Sequence, residues 1–182
     1  ANIANDPSVE IDKNLSWEVN VLATRNICEL AIKSKVKKII YASSGSVYGI
    51  KKEREVTEEL SLLPISTYNK TKMIAERVLM SYSNKINLHI IRPATVCGLS
   101  PRMRFDVSVN MLTLQALKKK VITVFGGKQI RPNIHINDLV RVYMHFIKKP
   151  NLPCGFYNAG FENISIENLA KKIKNHINCK II

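Results

Sequence analysis

The sequence predicts an α/β fold built on a mainly parallel sheet. Short apolar runs of strand length alternate with amphipathic stretches of helical period along the whole chain. One of the runs, Lys38 to Ala42, opens into a small polar loop at its carboxyl end, as strands of a parallel sheet do. The 182 residues are 46% hydrophobic and 23% charged. That balance suits one globular domain or a large piece of one, and it argues against intrinsic disorder.

The start, Ala1 to Ser16, is polar and acidic and reads as a loop; it has neither the basic n-region nor the apolar h-region of a signal peptide. Ser16 to Lys33 reads as a helix, because Trp17, Val21, Leu22, Ile27 and Leu30 recur near the 3.6 period with Glu18 and Glu29 opposite. Lys38 to Ala42 is a brief apolar run of the kind buried in a parallel sheet. It opens into Ser43 to Gly49, at the strand end where open α/β sheets bind their ligands. Tyr68 to Tyr82 forms a second amphipathic helix carrying Met73, Ile74, Val78 and Leu79. Ile86 to Val96 is a strand broken by Pro93.

A charged loop, Arg102 to Asp106, leads into a helix from Val107 to Lys118 and a strand from Val121 to Phe125 that ends in Gly126-Gly127. Asn137 or Asp138 caps a helix to about Lys148, with Pro150 just beyond. Gly155 to Ala159 is a short strand, Ser165 caps a last helix through about Ile173, and Lys180 to Ile182 is a final strand. No internal repeat or low-complexity linker divides the chain.

Several function classes drop out. Cys28, Cys97, Cys154 and Cys179 lie far apart with no CxxC pair, so they read as reduced, buried thiols of a cytoplasmic protein. The four histidines show no HExxH or paired spacing, which argues against a zinc enzyme. No run approaches the roughly 18 uncharged apolar residues of a membrane span. The net charge of +14 is scattered over runs such as Lys51 to Arg54, Lys118 to Lys120 and Lys171 to Lys174. A nucleic-acid binder gathers such charge on one face, so a solvated surface that favours anionic ligands is the better account.

Two segments carry chemistry. Tyr41-Ala-Ser-Ser-Gly-Ser-Val-Tyr-Gly49 follows a strand directly, and Ser66-Thr-Tyr-Asn-Lys-Thr-Lys72 opens a helix. Tyr68 and Lys72 are four apart and share a helical face. An ammonium near a phenol favours the phenolate, which can take a proton from a sugar hydroxyl and return it. A Ser hydroxyl at the neighbouring strand end could bond the same oxygen. Taken singly, YxxxK also arises as an exposed Tyr beside a solvated Lys, and a Ser-rich loop is often just a turn. Their order, with Tyr68 standing 24 positions after Ser44, raises the odds.

That combination resembles the extended short-chain dehydrogenase/reductase family, and within it the nucleotide-sugar epimerases and dehydratases. Asn20-Val-Leu-Ala-Thr24 is similar to the family's NVxGT segment, and Arg92-Pro-Ala-Thr-Val-Cys-Gly98 to its R(P/Y)xxVYG strand end. Phe125 to Asp138 is similar to FGDGxQxRDFIHVDD, and Phe156-Tyr-Asn-Ala-Gly160 to YNxG. The resemblance implies a Rossmann-like, doubly wound, mainly parallel sheet with a small C-terminal substrate-binding region. Residues 1–98 would be the second half of the NAD-binding domain and residues 99–182 mostly the substrate-binding region. It implies Tyr68 as acid/base, Lys72 as its partner and ribose ligand, and Ser44 as the catalytic Ser/Thr. Asn20, Ser43, Pro93 and Ala94 would line NAD with Tyr68 and Lys72. Arg131 would grip the nucleotide diphosphate, and Thr95 lies where relatives often carry Asn near the substrate. Asn110 would contact the sugar nucleotide or serve simply as a helix-surface Asn. A homodimer built from the Ser16–Lys33 and Tyr68–Tyr82 helices is implied too, although their apolar stripes are equally explained by packing on the sheet.

None of the seven glycines is spaced as GxGxxG. In the family that phosphate loop belongs to βαβ units ahead of the matching region, so the sequence reads as a partial, later half. The family's 4,6-dehydratases carry an Asp-Glu pair directly after the catalytic Ser/Thr, and its decarboxylases a Glu at the second of those places. Gly45 and Ser46 stand there instead, and neither is a carboxylate acid or base. The Cys and His of the relatives that epimerise at C3 and C5 have no counterparts. Ser, Tyr, Lys and a nicotinamide suffice for a 4-epimerase on a UDP- or dTDP-hexose. The same set serves a nucleotide-sugar reductase or another epimerase, and a non-catalytic nucleotide binder would have no need of all three side chains.

Overall fold

The computed structural model describes residues 2–53 and 55–182; Ala1, and Arg54 at the end of the basic run, lie outside the described residues. In chain order the elements are α1 (Asp6–Ile11), α2 (Lys13–Trp17), a π turn (Glu18–Leu22), α3 (Ala23–Lys33), β1 (Lys38–Ala42), a 3₁₀ turn (Gly45–Tyr48) and α4 (Thr67–Met80). There follow β2 (Asn87–Pro93), β3 (Thr95–Cys97), α5 (Ser108–Lys119), β4 (Val121–Ile122), β5 (Ile130–His135) and α6 (Ile136–Lys148). The chain closes with β6 (Gly155–Ala159), β7 (Glu162–Ser165), α7 (Ile166–His176) and β8 (Lys180–Ile181). The α/β class holds, with parallel pairing in all but one strand pair. Two compact units interleave along the chain: Ala1–Pro93 with Tyr143–Ala159, and Ala94–Val142 with Gly160–Ile182.

The first unit is built on the parallel sheet β1-β2-β6. β2 is its centre, and Leu88, Ile90 and Ile91 are all fully buried, as expected of a strand covered on both faces. Cys28 from α3 and Ala75 and Leu79 from α4 pack with Tyr41, Ile86, Leu88 and Ile90. The opening stretch is helical rather than a loop: Asn5 caps α1 through Ser8 N, and Asp12 caps α2 through Leu15 N.

The long first helix also differs from its apolar reading. Its buried stripe is Ser16, Asn20, Val21, Thr24 and Cys28, whereas Leu22, Ile27 and Leu30 are 56%, 50% and 61% exposed. The π turn shifts the helical phase, and small polar side chains that bond to backbone or to neighbouring side chains fill the inward positions.

The second unit holds a three-stranded sheet, β3-β5-β7, and the parallel pair β4-β8. β3 and β5 run parallel, while β5 and β7 run antiparallel. Leu112 and Ala116 of α5 pack with Ile122, Ile164, Cys179 and the α7 residues Leu169, Ala170 and Ile173. β5 and β7 escape the sequence pattern. β5 contains Arg131 and Pro132, and its order comes from partners distant in the chain. Pro132 is tolerated because β3 pairs only with Asn133 to His135, leaving β5 open on that side at the proline. The strand expected from Val121 to Phe125 stops at Ile122, and Phe125 is exposed. α6 starts one residue before the expected caps, with His135 Nδ1 accepting from Asn137 N at 3.2 Å. All four cysteines are free, but the buried-thiol expectation holds only for Cys28 and Cys179; Cys97 is half-buried and Cys154 exposed.

Candidate active site

The carboxyl end of β1 runs through Ser43 and Ser44 into the 3₁₀ turn. Ser44 is extended and caps that turn, its Oγ accepting from Ser46 N at 3.2 Å. Gly45 lets the turn sit close to β2: a Cβ there would stand 3.1 Å from the Pro93 carbonyl oxygen, tighter than an ordinary contact. Gly49 closes the turn at φ +71°, where a Cβ would lie only 2.1 Å from the Leu63 carbonyl oxygen.

Ser66 starts α4 by accepting from Asn69 N at 3.2 Å. The cap puts Tyr68 in the first turn, half-buried, and Lys72 one turn on, 3% exposed. The Lys72 ammonium donates to the Ala42 carbonyl at 2.7 Å and to Asn2 Oδ1 at 2.6 Å. It also lies 4.8 Å from the Tyr41 ring centroid and 5.9 Å from that of Tyr68. One buried cation thus joins the helix carrying Tyr68 to the end of β1. Burial pulls the Lys72 ammonium down to about 8, with the Glu76 carboxylate acting against that shift. Tyr41 is no rival base, since burial, with Tyr68 and Glu76 nearby, pushes its phenol well up.

Other predicted residues of this unit are enclosed. Asn20 is fully buried: its Oδ1 accepts from Ile3 N at 2.8 Å, and its Nδ2 donates to Ile3 O at 3.0 Å and Thr71 Oγ1 at 3.1 Å. Ser43 donates its hydroxyl to Glu76 Oε1 and its N–H to Ile91 O. Glu76 in turn holds Arg92 through two bonds of 3.0 and 2.7 Å, with both residues almost fully buried. Arg92 also donates to Tyr48 OH at 2.7 Å, and Tyr48 donates to Asn158 Oδ1 at 2.9 Å. Sequence reasoning missed Glu76 and Asn69. The signal for Glu76 was present: it stands four residues after Lys72, on the same helical face as Tyr68.

The second unit carries the remaining predicted residues. Thr95 is half-buried on β3 opposite Asn133, and Ala94, just ahead of it, is also half-buried, as is Pro93 at the end of the first unit's β2. Arg131 is exposed on β5, opposite Ile164. Asn110 is buried rather than on the helix surface: its Nδ2 donates to Arg104 O at 2.8 Å and its Oδ1 accepts from Gly98 N at 3.2 Å. Its amide therefore closes the loop that leads into α5. Among the described residues no His, Cys, Asp or Glu group of three or more could hold a metal, and no helix is long and apolar enough to cross a membrane.

Residues 1–160 match the model of the NAD dependent epimerase/dehydratase family. The chain belongs to that family. It is 34% identical over 136 residues to an uncharacterised UDP-glucose epimerase, YtcB, of Bacillus subtilis, covering 73% of this chain and 42% of YtcB. Among solved structures, UDP-glucuronic acid 4-epimerase of Bacillus cereus, in complex with UDP-glucuronic acid and NAD, superposes with a TM-score of 0.78 at 29% identity. That match covers 92% of this chain and 55% of the epimerase. MoeE5 in complex with UDP-glucose and NAD superposes with a TM-score of 0.83 at 25% identity, covering 100% of this chain and 62% of MoeE5. The chain spans about half the length of the curated relatives it matches. The family is NAD-dependent, and the Rossmann-like parallel sheet of these relatives is the fold found here.

Proposed function

We propose that the protein is a nucleotide-sugar epimerase that inverts C4 of a UDP- or dTDP-hexose through a 4-keto intermediate. The observation that carries this reading is the buried Lys72 ammonium, anchored on the Ala42 carbonyl and standing beside the Tyr68 ring. Relatives that include YtcB and the Bacillus cereus 4-epimerase support it.

The residues fit the nicotinamide side of NAD: a buried ammonium held on the Ala42 carbonyl at a strand end, one residue ahead of Ser43 and near the half-buried Tyr68, with Pro93 ending the neighbouring strand. Asn20 would act on the cofactor by bracing Thr71 beside Lys72 rather than by direct contact. When bound, NAD supplies the reversible acceptor for the hydride of the sugar carbon.

Tyr68, as phenolate favoured by the Lys72 charge, takes the proton of the sugar 4-hydroxyl and later returns it. Ser44 hydrogen-bonds the same oxygen and keeps it in line with Tyr68. Arg131 on β5, together with Thr95 on β3 and Asn110, which closes the loop into α5, would bind the sugar nucleotide; a guanidinium fork suits diphosphate oxygens. Gly45 and Ser46 leave no carboxylate to drive elimination, which favours epimerisation over dehydration. The exposed Leu22, Ile27 and Leu30 support a homodimer through the helix that carries them. Four free cysteines support a cytoplasmic location.

The test is conversion of UDP-galactose by the complete protein, followed by chromatography with and without added NAD. Appearance of UDP-glucose is expected, and independence from added NAD would show that the cofactor stays bound. No product from this or any other nucleotide hexose would overturn the reading in favour of a reductase or a non-catalytic nucleotide binder.

A further inference from the structure

Glu76 and Arg92 are 1% and 3% exposed, and the guanidinium lies 4.3 Å from the Phe156 ring centroid and 4.9 Å from that of Tyr48. Stability does not explain such a pair. Taking two charges out of water is unfavourable, and apolar side chains of similar volume often serve as well or better. What apolar side chains cannot do is bond to other polar groups, and this pair bonds to two. Ser43 donates its hydroxyl to Glu76 Oε1, and Arg92 Nη1 donates to Tyr48 OH at 2.7 Å. The Tyr48 hydroxyl donates onward to Asn158 Oδ1 at 2.9 Å.

Ser43 and Tyr48 are the two ends of one short segment, and Ser44 and the body of the 3₁₀ turn stand between them. The turn's own backbone bonds are at the long end of the range, 3.2 Å from Val47 N to Ser44 O and 3.1 Å from Gly49 N to Ser46 O. On its exposed side Ser46 donates to Asn69 Oδ1 of α4 at 2.5 Å. On its buried side both ends run to the ion pair, one partner of which stands on α4 with Tyr68 and the other on β2. Resting on the reading of Ser44 and Tyr68 as the groups that meet the sugar hydroxyl, we propose that Glu76, Arg92 and Tyr48 are positioning residues for the reaction. The buried pair clamps the Ser44 turn at both ends and sets its distance from Tyr68 on the helix that Glu76 shares.

The experiment separates positioning from stability, using the complete protein and the nucleotide sugar turned over in the conversion assay. Glu76→Leu with Arg92→Met removes both anchors but leaves no orphaned charge, so its thermal midpoint should stay near that of the parent. Its kcat should nevertheless fall roughly tenfold to a hundredfold, the range for a reacting group set slightly out of place, while KM hardly moves. Tyr48→Phe keeps the ion pair and the ring and frees one end of the turn alone; it should show a smaller loss of kcat, again without a change in KM. It also decides the matter if the double variant does not fold. In a crystal structure of the double variant, the segment from Ser43 to Tyr48 should be displaced relative to α4. A kcat that returns to the parent value along with stability, an unchanged kcat in Tyr48→Phe, or an unmoved turn would each overturn the proposal. Tyr68→Phe is measured alongside: turnover that survives in it overturns the site reading and this proposal together. Turnover lost in Tyr68→Phe but kept in the double variant overturns the proposal alone.

Discussion

The two units treat their polar side chains differently. In the first, Lys72, Ser43, Asn20, Glu76 and Arg92 are nearly sealed from solvent, and each is held by partners from other parts of the chain. In the second, Arg131 is open to water, and Arg104 meets Asp106 only two residues away in an exposed loop. On the proposed function, the contrast follows from what each task needs. Proton transfer needs a short, fixed distance and a partner charge that solvent does not screen, and burial provides both. Holding an anion needs reach and a charge that survives in water, which a guanidinium keeps without burial.

The largest expected effect tests the buried half. Tyr68→Phe removes the only atom of that side chain able to carry the proton, and turnover should fall by about 10²–10⁴-fold or be lost. Nucleotide affinity by calorimetry and the thermal midpoint should stay near those of the parent. Near-normal turnover would show that burial beside Lys72 marks packing and not chemistry.

The next effect compares two ion pairs of like chemistry and unlike burial. Glu76→Gln leaves the Arg92 guanidinium in the interior without its counter-charge, a loss of about 3–5 kcal/mol for a buried pair. Asp106→Asn breaks the exposed Arg104 pair and should cost about 0–1 kcal/mol. Urea unfolding of both variants measures the difference. Replacing the buried pair as a whole, Glu76→Leu with Arg92→Met, should recover most of the loss, since it is the orphaned charge that is costly. Equal effects at the two sites would erase the contrast between the units.

The same division governs what could be read from the residues alone. β2 is buried along nearly its whole length and β1 is half-buried beside it, so their apolar runs announce them, and the four-residue spacing of Tyr68 and Lys72 survives in any helix. The long first helix misled because periodicity records which residues are apolar, and Leu22, Ile27 and Leu30 face outward while Asn20 and Thr24 face in. β5 and β7 carry no period, because their order comes from each other. Asn110 reads equally as a sugar-nucleotide contact or a helix-surface residue, since nothing local signals that its amide spans from Gly98 to Arg104. Side chains that bond across the fold leave no trace in a linear pattern, and the Ser46–Asn69 contact is of that kind.

The smallest effect tests the open half. Arg131 stands exposed on β5, so its removal should leave the fold alone: α7, β7 and the buried cluster around Leu112 and Ile164 do not depend on it. If it grips the diphosphate, Arg131→Ala should weaken nucleotide-sugar binding roughly tenfold to a hundredfold, the range for one charge-assisted contact. The loss should appear in KM and in the titrated affinity while kcat at saturation holds, because the diphosphate is bound equally in ground and transition states. Arg131→Lys should recover only part of it, since an ammonium keeps the charge but lacks the fork that meets two oxygens at once. Raised salt should narrow the gap between parent and variant, because a contact made in water is screened and one made in the interior is not. An unchanged affinity would take Arg131 out of the site. A fall in kcat instead would mean that the exposed unit acts on the reacting carbon as well, and that burial does not separate chemistry from grip.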